Sequence, residues 1–175
     1  KNKTGEEEFI KIKPNNKDFL YNSLKIAAEN LCLSLDNNNI KVVRVSNLYG
    51  NNFTNQSYIL PTWIKDSINK KTISLLINKN STKDYIFVHD AFDVILKIIK
   101  KSKYRLYNIA SGKNIKLSKI LKEIKNCTNC KIRYKKNSKL IREPKINIDR
   151  IKREFNFKVK NNLIDSISQL IVDYK

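Results

Sequence analysis

DFLYNSLKIAAENLCLSLDNNNIKVVRV, residues 18 to 45, sets two unlike periodicities side by side. In its first part Leu20, Leu24, Ala27, Ala28, Leu31 and Leu35 recur every three or four residues, the spacing of one helix face. Asp18 stands where an N-cap belongs, its carboxylate able to take a free N–H of the first turn. The polar run Asp36-Asn37-Asn38-Asn39 closes that helix. Ile40-Lys41-Val42-Val43-Arg44-Val45 then changes pattern. It is short, rich in β-branched residues and bounded by polar ones, which predicts a largely buried strand. A helix feeding a buried strand is the repeating unit of an α/β sheet built from crossovers.

The rest of the chain extends the pattern. Residues 47 to 57 read as a loop, and Ile59 to Ile68 as a helix that tolerates Pro61 in its first turn. Strands are expected at Thr72 to Ile77, Tyr85 to Val88, Arg105 to Ile109 and Lys131 to Tyr134. Helices are expected from Asp90, acting as a cap, to about Lys100, from Lys116 to Lys125, and from Leu163 to Val172. The expected fold is α/β with a mainly parallel sheet. The only glycines are Gly5, Gly50 and Gly112, so no glycine-rich strand-to-helix turn of the kind that cradles a dinucleotide pyrophosphate is visible.

The chain's 175 residues, 41% of them hydrophobic, suffice for one compact core. No uninterrupted apolar run reaches the roughly 18 residues of a membrane span, and the amino end lacks a signal-peptide core, so a cytoplasmic location is expected. Cys32, Cys127 and Cys130 are expected to be reduced thiols. Cys127-Thr-Asn-Cys130 has the spacing of a redox pair or half a zinc site, but neither Cys32 nor His89 completes it at paired spacing, so no metal is expected. The net charge of +20 invites a nucleic-acid or membrane-surface reading. Against it, Lys outnumbers Arg 30 to 6, and the accompanying 24 Asn and 25 Ile look like nucleotide bias in the coding DNA. The expectation is a solvated basic surface, with neither nucleic acid nor membrane as partner.

Tyr21 and Lys25 stand four residues apart and share one helix face. An ammonium beside a phenol favours the phenolate, the form able to take a proton from a sugar hydroxyl as hydride leaves the same carbon. Alone, the pair is also what a solvated helix face contains.

Five stretches in order carry a resemblance. Tyr21-Asn-Ser-Leu-Lys25-Ile-Ala-Ala-Glu29 resembles the catalytic helix of the extended short-chain dehydrogenase/reductase family, the NAD-dependent epimerases and dehydratases of nucleotide sugars. Arg44-Val-Ser-Asn47-Leu-Tyr49-Gly50 and Lys83-Asp84-Tyr85-Ile86-Phe87-Val88-His89-Asp90 are similar to its two strand motifs. Tyr107 to Gly112 with the helix after it, and Arg142-Glu143-Pro144-Lys145 with Asp149, are similar to its later segments. The resemblance implies the C-terminal part of a Rossmann-like doubly wound parallel sheet plus a small α/β substrate-binding subdomain. Residues 1–57 would be the catalytic-helix part of an incomplete NAD(P)-binding domain, and 58–175 mainly substrate-binding, with 85–110 rejoining the sheet.

It also implies roles. Tyr21 is the acid/base, Lys25 holds the nicotinamide ribose, and Ser46 meets the nicotinamide end of NAD or NADP. Asn47 bonds the nucleotide sugar, and Lys83 and Arg142 take its diphosphate. Asp90 caps its helix, and family members commonly dimerise through the helix carrying Tyr21, so a homodimer or a missing amino-terminal half is the expected partner. Several departures stand against the pattern. Lys83 replaces an arginine fork with a point charge; His89 stands where an acidic or polar residue is common and is expected to be a partly buried structural residue; the loop from Asn78 to Thr82 lacks glycines. The family's amino-terminal half, with its glycine turn and catalytic Ser or Thr, has no counterpart, so the chain alone is expected neither to bind NAD tightly nor to turn over. Two other expectations remain open: a non-catalytic nucleotide-sugar-binding or partner protein, and a basic nucleic-acid module.

Overall fold

A computed structural model describes residues 3–11, 19–50 and 58–174. The expected Asp18 cap and the 51–57 part of the expected loop lie outside them. In chain order the elements are β1 (Lys3–Thr4), α1 (Phe19–Ser34), β2 (Val42–Val45), β3 (Asn47–Tyr49), α2 (Ile59–Asn69), β4 (Thr72–Leu75) and β5 (Thr82–Phe87). They continue as α3 (Val88–Lys101), β6 (Leu106–Ile109), β7 (Asn114–Lys116), α4 (Leu117–Thr128), β8 (Lys131–Tyr134), β9 (Lys145–Ile146), α5 (Asp149–Phe155) and α6 (Leu163–Tyr174).

Pairing is parallel throughout except for one pair. β2 lies parallel to β6 with Val42 opposite Leu106 and Val45 opposite Ile109. β3 lies parallel to β5 with Asn47 opposite Tyr85, β4 pairs with β8, and β1 pairs with β9. β7 runs antiparallel on the other side of β5, Lys83 facing Ile115 in register. Two apolar clusters stabilise this arrangement. One gathers Ile86, Val94, Ile98, Tyr107, Ile109 and Ile151 around β6, α3 and α5. The other packs Trp63, Ile73, Leu75, Leu121, Ile124 and Ile167 from α2, β4, α4 and α6. No helix among the described residues is long and apolar enough to cross a membrane.

Several expectations need correction. The apolar stripe of α1 is exposed: Leu20, Leu24 and Leu31 keep 68%, 61% and 66% of their surface. Periodicity gives a helix its apolar face but not the element that covers it. β2 is half-buried rather than buried, because among the described residues it has one strand neighbour. Asn47 to Tyr49 is a strand rather than loop. Asp90 does not cap α3, whose N-cap Phe87 makes no side-chain bond; its carboxylate accepts from the backbone N–H groups of Lys160 and Asn161. His89 is exposed, its ring 5.2 Å from that of Phe87.

Candidate active site

α1 is short of buried apolar contact, so polar links seat it. Glu29 accepts a forked pair of bonds from Arg44 of β2, with Nε at 2.8 Å. That hydrogen bond raises the Arg44 guanidinium above its usual value against the opposing effect of burial. At the other end Arg105 donates to the carbonyls of Leu33 at 2.9 Å and Cys32 at 2.6 Å. A cation there satisfies terminal carbonyls and complements the negative end of the helix dipole. Held this way, α1 presents Tyr21 and Lys25 on one face, the Lys25 ammonium 5.6 Å from the centre of the Tyr21 ring. Both line a groove of about 600 Å³ between α1 and β2, together with Glu29, Cys32, Lys41 and Arg44.

Ser46 and Asn47 stand where β2 passes into β3, and both meet Asp84 of β5. Ser46 Oγ donates to Asp84 Oδ1 at 3.0 Å, and Asn47 Nδ2 donates to the Asp84 carbonyl at 2.8 Å. Asp84 is 1% exposed. Burial lifts its carboxyl above the ordinary carboxylate value, opposed by bonds from the Ser111 and Lys113 amides and from Ser46. The Asp84 contacts went unread in the sequence, although a lone Asp between Lys83 and a run of aromatic and branched residues is the signal of a carboxylate drawn into a sheet.

Lys83 lies on β5 and Arg142 on the stretch before β9, and the two segments meet through neighbouring residues. Lys83 Nζ pairs with Glu143 at 2.8 Å, a partner not foreseen from the sequence. Thr82 forms a single parallel bridge with Arg142. A cavity of about 820 Å³ lies there, lined by Arg142, Lys116 and Lys145 with Asn80, Asn114 and Glu143. An adjoining cavity of about 610 Å³ shares Thr82, Asn114 and Lys116 and adds Lys113, Lys119 and Tyr85. The Tyr21 groove shares no lining residue with either. The sequence-predicted residues thus form two groups, Tyr21 with Lys25 and Ser46 with Asn47, while Arg142 lines the larger cavity and Lys83, paired with Glu143, lines none of these three.

An ammonium and a phenol at a groove beside a strand end fit the ribose end of a dinucleotide. The pyrophosphate end has no such fit among the described residues. Gly5 lies ahead of a turn, and Gly112 opens onto β7 rather than a helix.

No curated protein matches the chain. Its fold resembles the dTDP-glucose 4,6-dehydratase of Bacillus anthracis str. Ames in complex with NAD, at 20% identity and TM-score 0.83, over 99% of this chain and 56% of that one. It also resembles RMD of Pseudomonas aeruginosa complexed with NADPH, at 16% identity and TM-score 0.75, over 92% and 59%. MoeE5 in complex with UDP-glucose and NAD matches at 14% identity and TM-score 0.79, over 97% and 58%. The chain therefore spans somewhat more than half the length of these structures. The model of one family matches residues 1–110. The chain belongs to the NAD dependent epimerase/dehydratase family.

Proposed function

We infer that the intact protein acts on a nucleotide-linked sugar by transient oxidation, with Tyr21 as the acid/base. The observation that carries this reading is the Lys25 ammonium beside the Tyr21 ring at the groove along β2, in a chain of this family. NAD or NADP, when bound, supplies the hydride acceptor. Tyr21 takes the proton of the sugar hydroxyl at its phenolic oxygen, and Lys25 stabilises the phenolate by its charge while bonding the ribose. Ser46 faces the nicotinamide end, and Asn47 orients the sugar. Arg142 binds the diphosphate with its planar fork, and Lys83, already paired with Glu143, adds a weaker point charge. Relatives of this fold solved with UDP-glucose, NAD and NADPH support the substrate class and cofactor. Residues 1–57 then belong to the cofactor-binding part and 58–175 mainly to the substrate-binding part. The exposed leucine stripe of α1 is covered by a second copy or by an amino-terminal half of the sheet.

Calorimetric titration of the 175-residue chain with UDP-glucose, dTDP-glucose and NAD tests this. The expected result is nucleotide-sugar binding that Arg142→Ala weakens and Tyr21→Phe leaves unchanged, with little heat from NAD. Binding of no nucleotide sugar removes the substrate reading. Tight NAD binding removes the argument from the pyrophosphate turn. In a chain extended to the length of the solved relatives, Tyr21→Phe is expected to cut turnover by about 100-fold or more, the usual worth of a positioned acid/base.

A further inference from the structure

Asp84 joins more separate pieces of the candidate site than any strand pairing requires. Its Oδ1 accepts from Ser46 Oγ at 3.0 Å and from the Ser111 amide at 2.9 Å, and its Oδ2 accepts from the Lys113 amide at 3.0 Å. Its carbonyl takes Asn47 Nδ2 at 2.8 Å. Four groups from the β2–β3 junction and the β6–β7 loop therefore meet one residue of β5. Among the described residues the observed ion pairs do not include Asp84. Its negative charge is balanced by dipoles alone while its side chain is 1% exposed.

A buried carboxylate without a cation is costly, and fixing the strands does not call for one. The β3–β5 ladder already sets Asn47 opposite Tyr85, and the β5–β7 ladder already sets Asp84 opposite Asn114. What the carboxylate adds is orientation of side chains and of a loop. We propose that Asp84 is a positioning residue whose carboxylate fixes Ser46 relative to the Ser111–Lys113 loop while its carbonyl holds Asn47, so that the cofactor end and the substrate side keep one geometry. The loop is suited to being held from outside. Gly112 at its centre has φ +72°, and within the loop Ser111 Oγ accepts from the Lys113 amide and donates to the Lys113 carbonyl. Releasing Asp84 frees the loop and the Ser46 hydroxyl together.

The test uses amide and side-chain NMR spectra of the full chain as wild type, Ser46→Ala and Asp84→Asn, with UDP-glucose titrations of each. Ser46→Ala removes one donor and is expected to shift the Ser111 and Lys113 amides, although neither touches Ser46. Asp84→Asn sets an NH2 donor among the donors Ser46 Oγ, Ser111 N and Lys113 N, so all three signals move together, while Asn47, which bonds the backbone carbonyl, moves less. In a pH titration of the wild type, the Ser46, Ser111 and Lys113 signals move with one common midpoint. UDP-glucose affinity falls roughly tenfold or more in Asp84→Asn, because the loop released from its charge-assisted bonds carries Ser111 and Lys113, which line the adjoining cavity. Unmoved Ser111 and Lys113 amides in Ser46→Ala overturn the proposal, as does a folded Asp84→Asn with wild-type affinity. If Asp84→Asn does not fold, the Ser46→Ala shifts and the common wild-type midpoint decide. The affinity arm rests on the nucleotide-sugar reading: a wild type that binds no UDP-glucose removes that reading, while the shift coupling still settles the role of Asp84.

Discussion

Gly112 shows how one atom's absence fixes the turn between β6 and β7. Its φ of +72° lies in the left-handed region, and a Cβ built there would sit 2.9 Å from Ile148 Cδ1 and 3.0 Å from Ile148 Cγ1. Ile148 is itself in the apolar cluster around β6, so it has little room to give. Gly112→Ala is therefore expected to lower the unfolding free energy by about 1 to 3 kcal/mol, backbone strain and crowding adding together. Urea denaturation followed by circular dichroism measures it, and an unchanged midpoint would show that the turn can relax. Tyr107 is a second residue of this kind. Its hydroxyl accepts from the Tyr104 amide and donates to Glu154 Oε2, each at 2.9 Å, while the residue has no exposed surface. Tyr107→Phe strands both partners and should cost about 1 to 3 kcal/mol in the same measurement.

α1 is an element held by its C-terminal end and by polar links more than by its apolar face. Arg105 bonds the carbonyls of Cys32, Leu33 and Ile40, and Arg44 grips Glu29. Arg105→Lys keeps the charge but loses the fork, so it is expected to lower hydrogen-exchange protection of α1 amides while α4 and α6 amides stay protected. Equal loss across all three helices would mean that Arg105 supports the whole fold. The same helix marks the reach of sequence reasoning. The three-and-four spacing from Leu20 to Leu35 was enough to place a helix, and the β-branched run at Val42 to Val45 enough to place a strand. Neither pattern says what lies against it, so the exposure of Leu24 and Leu31 was not legible. α5 escaped because in Asp149–Phe155 only Ile151 and Phe155 are buried, too few to make a period. In the candidate site, contacts were legible where residues are neighbours in sequence, as with the Lys25 ammonium beside the Tyr21 ring. They were not where partners are distant in the chain, as with Ser46 and Asp84 or Lys83 and Glu143. No spacing rule links such pairs.

At the scale of the whole molecule, the two clusters enclose phenols whose ionisation folding opposes. Burial pushes Tyr49 up to about 12 from 10.0. Burial likewise pushes Tyr107 up to about 12, and it raises Tyr85 further. The unfolded chain releases these protons from about pH 10, whereas the folded chain keeps them until about pH 12. Over that window the unfolded state binds fewer protons, so stability is fully present below about pH 10 and is lost as pH rises through the folded values. The formal charge of +20 works in the opposite sense, because lysines that lose their protons relieve surface repulsion. That relief is spread over solvated, screened side chains, whereas around the phenols burial disfavours the anion more than their hydrogen bonds favour it, so the phenols should dominate. The melting temperature is expected to hold to about pH 10 and then fall steeply. Tyr49→Phe keeps the ring contact with Phe87 at 5.3 Å and removes one titrating proton. Its melting temperature should therefore fall less steeply than the wild type's above pH 10, the two curves being nearly parallel below it. Parallel curves through pH 12 would show that Tyr49 ionises without unfolding, and that the core around α2 and α6 opens to water before it melts.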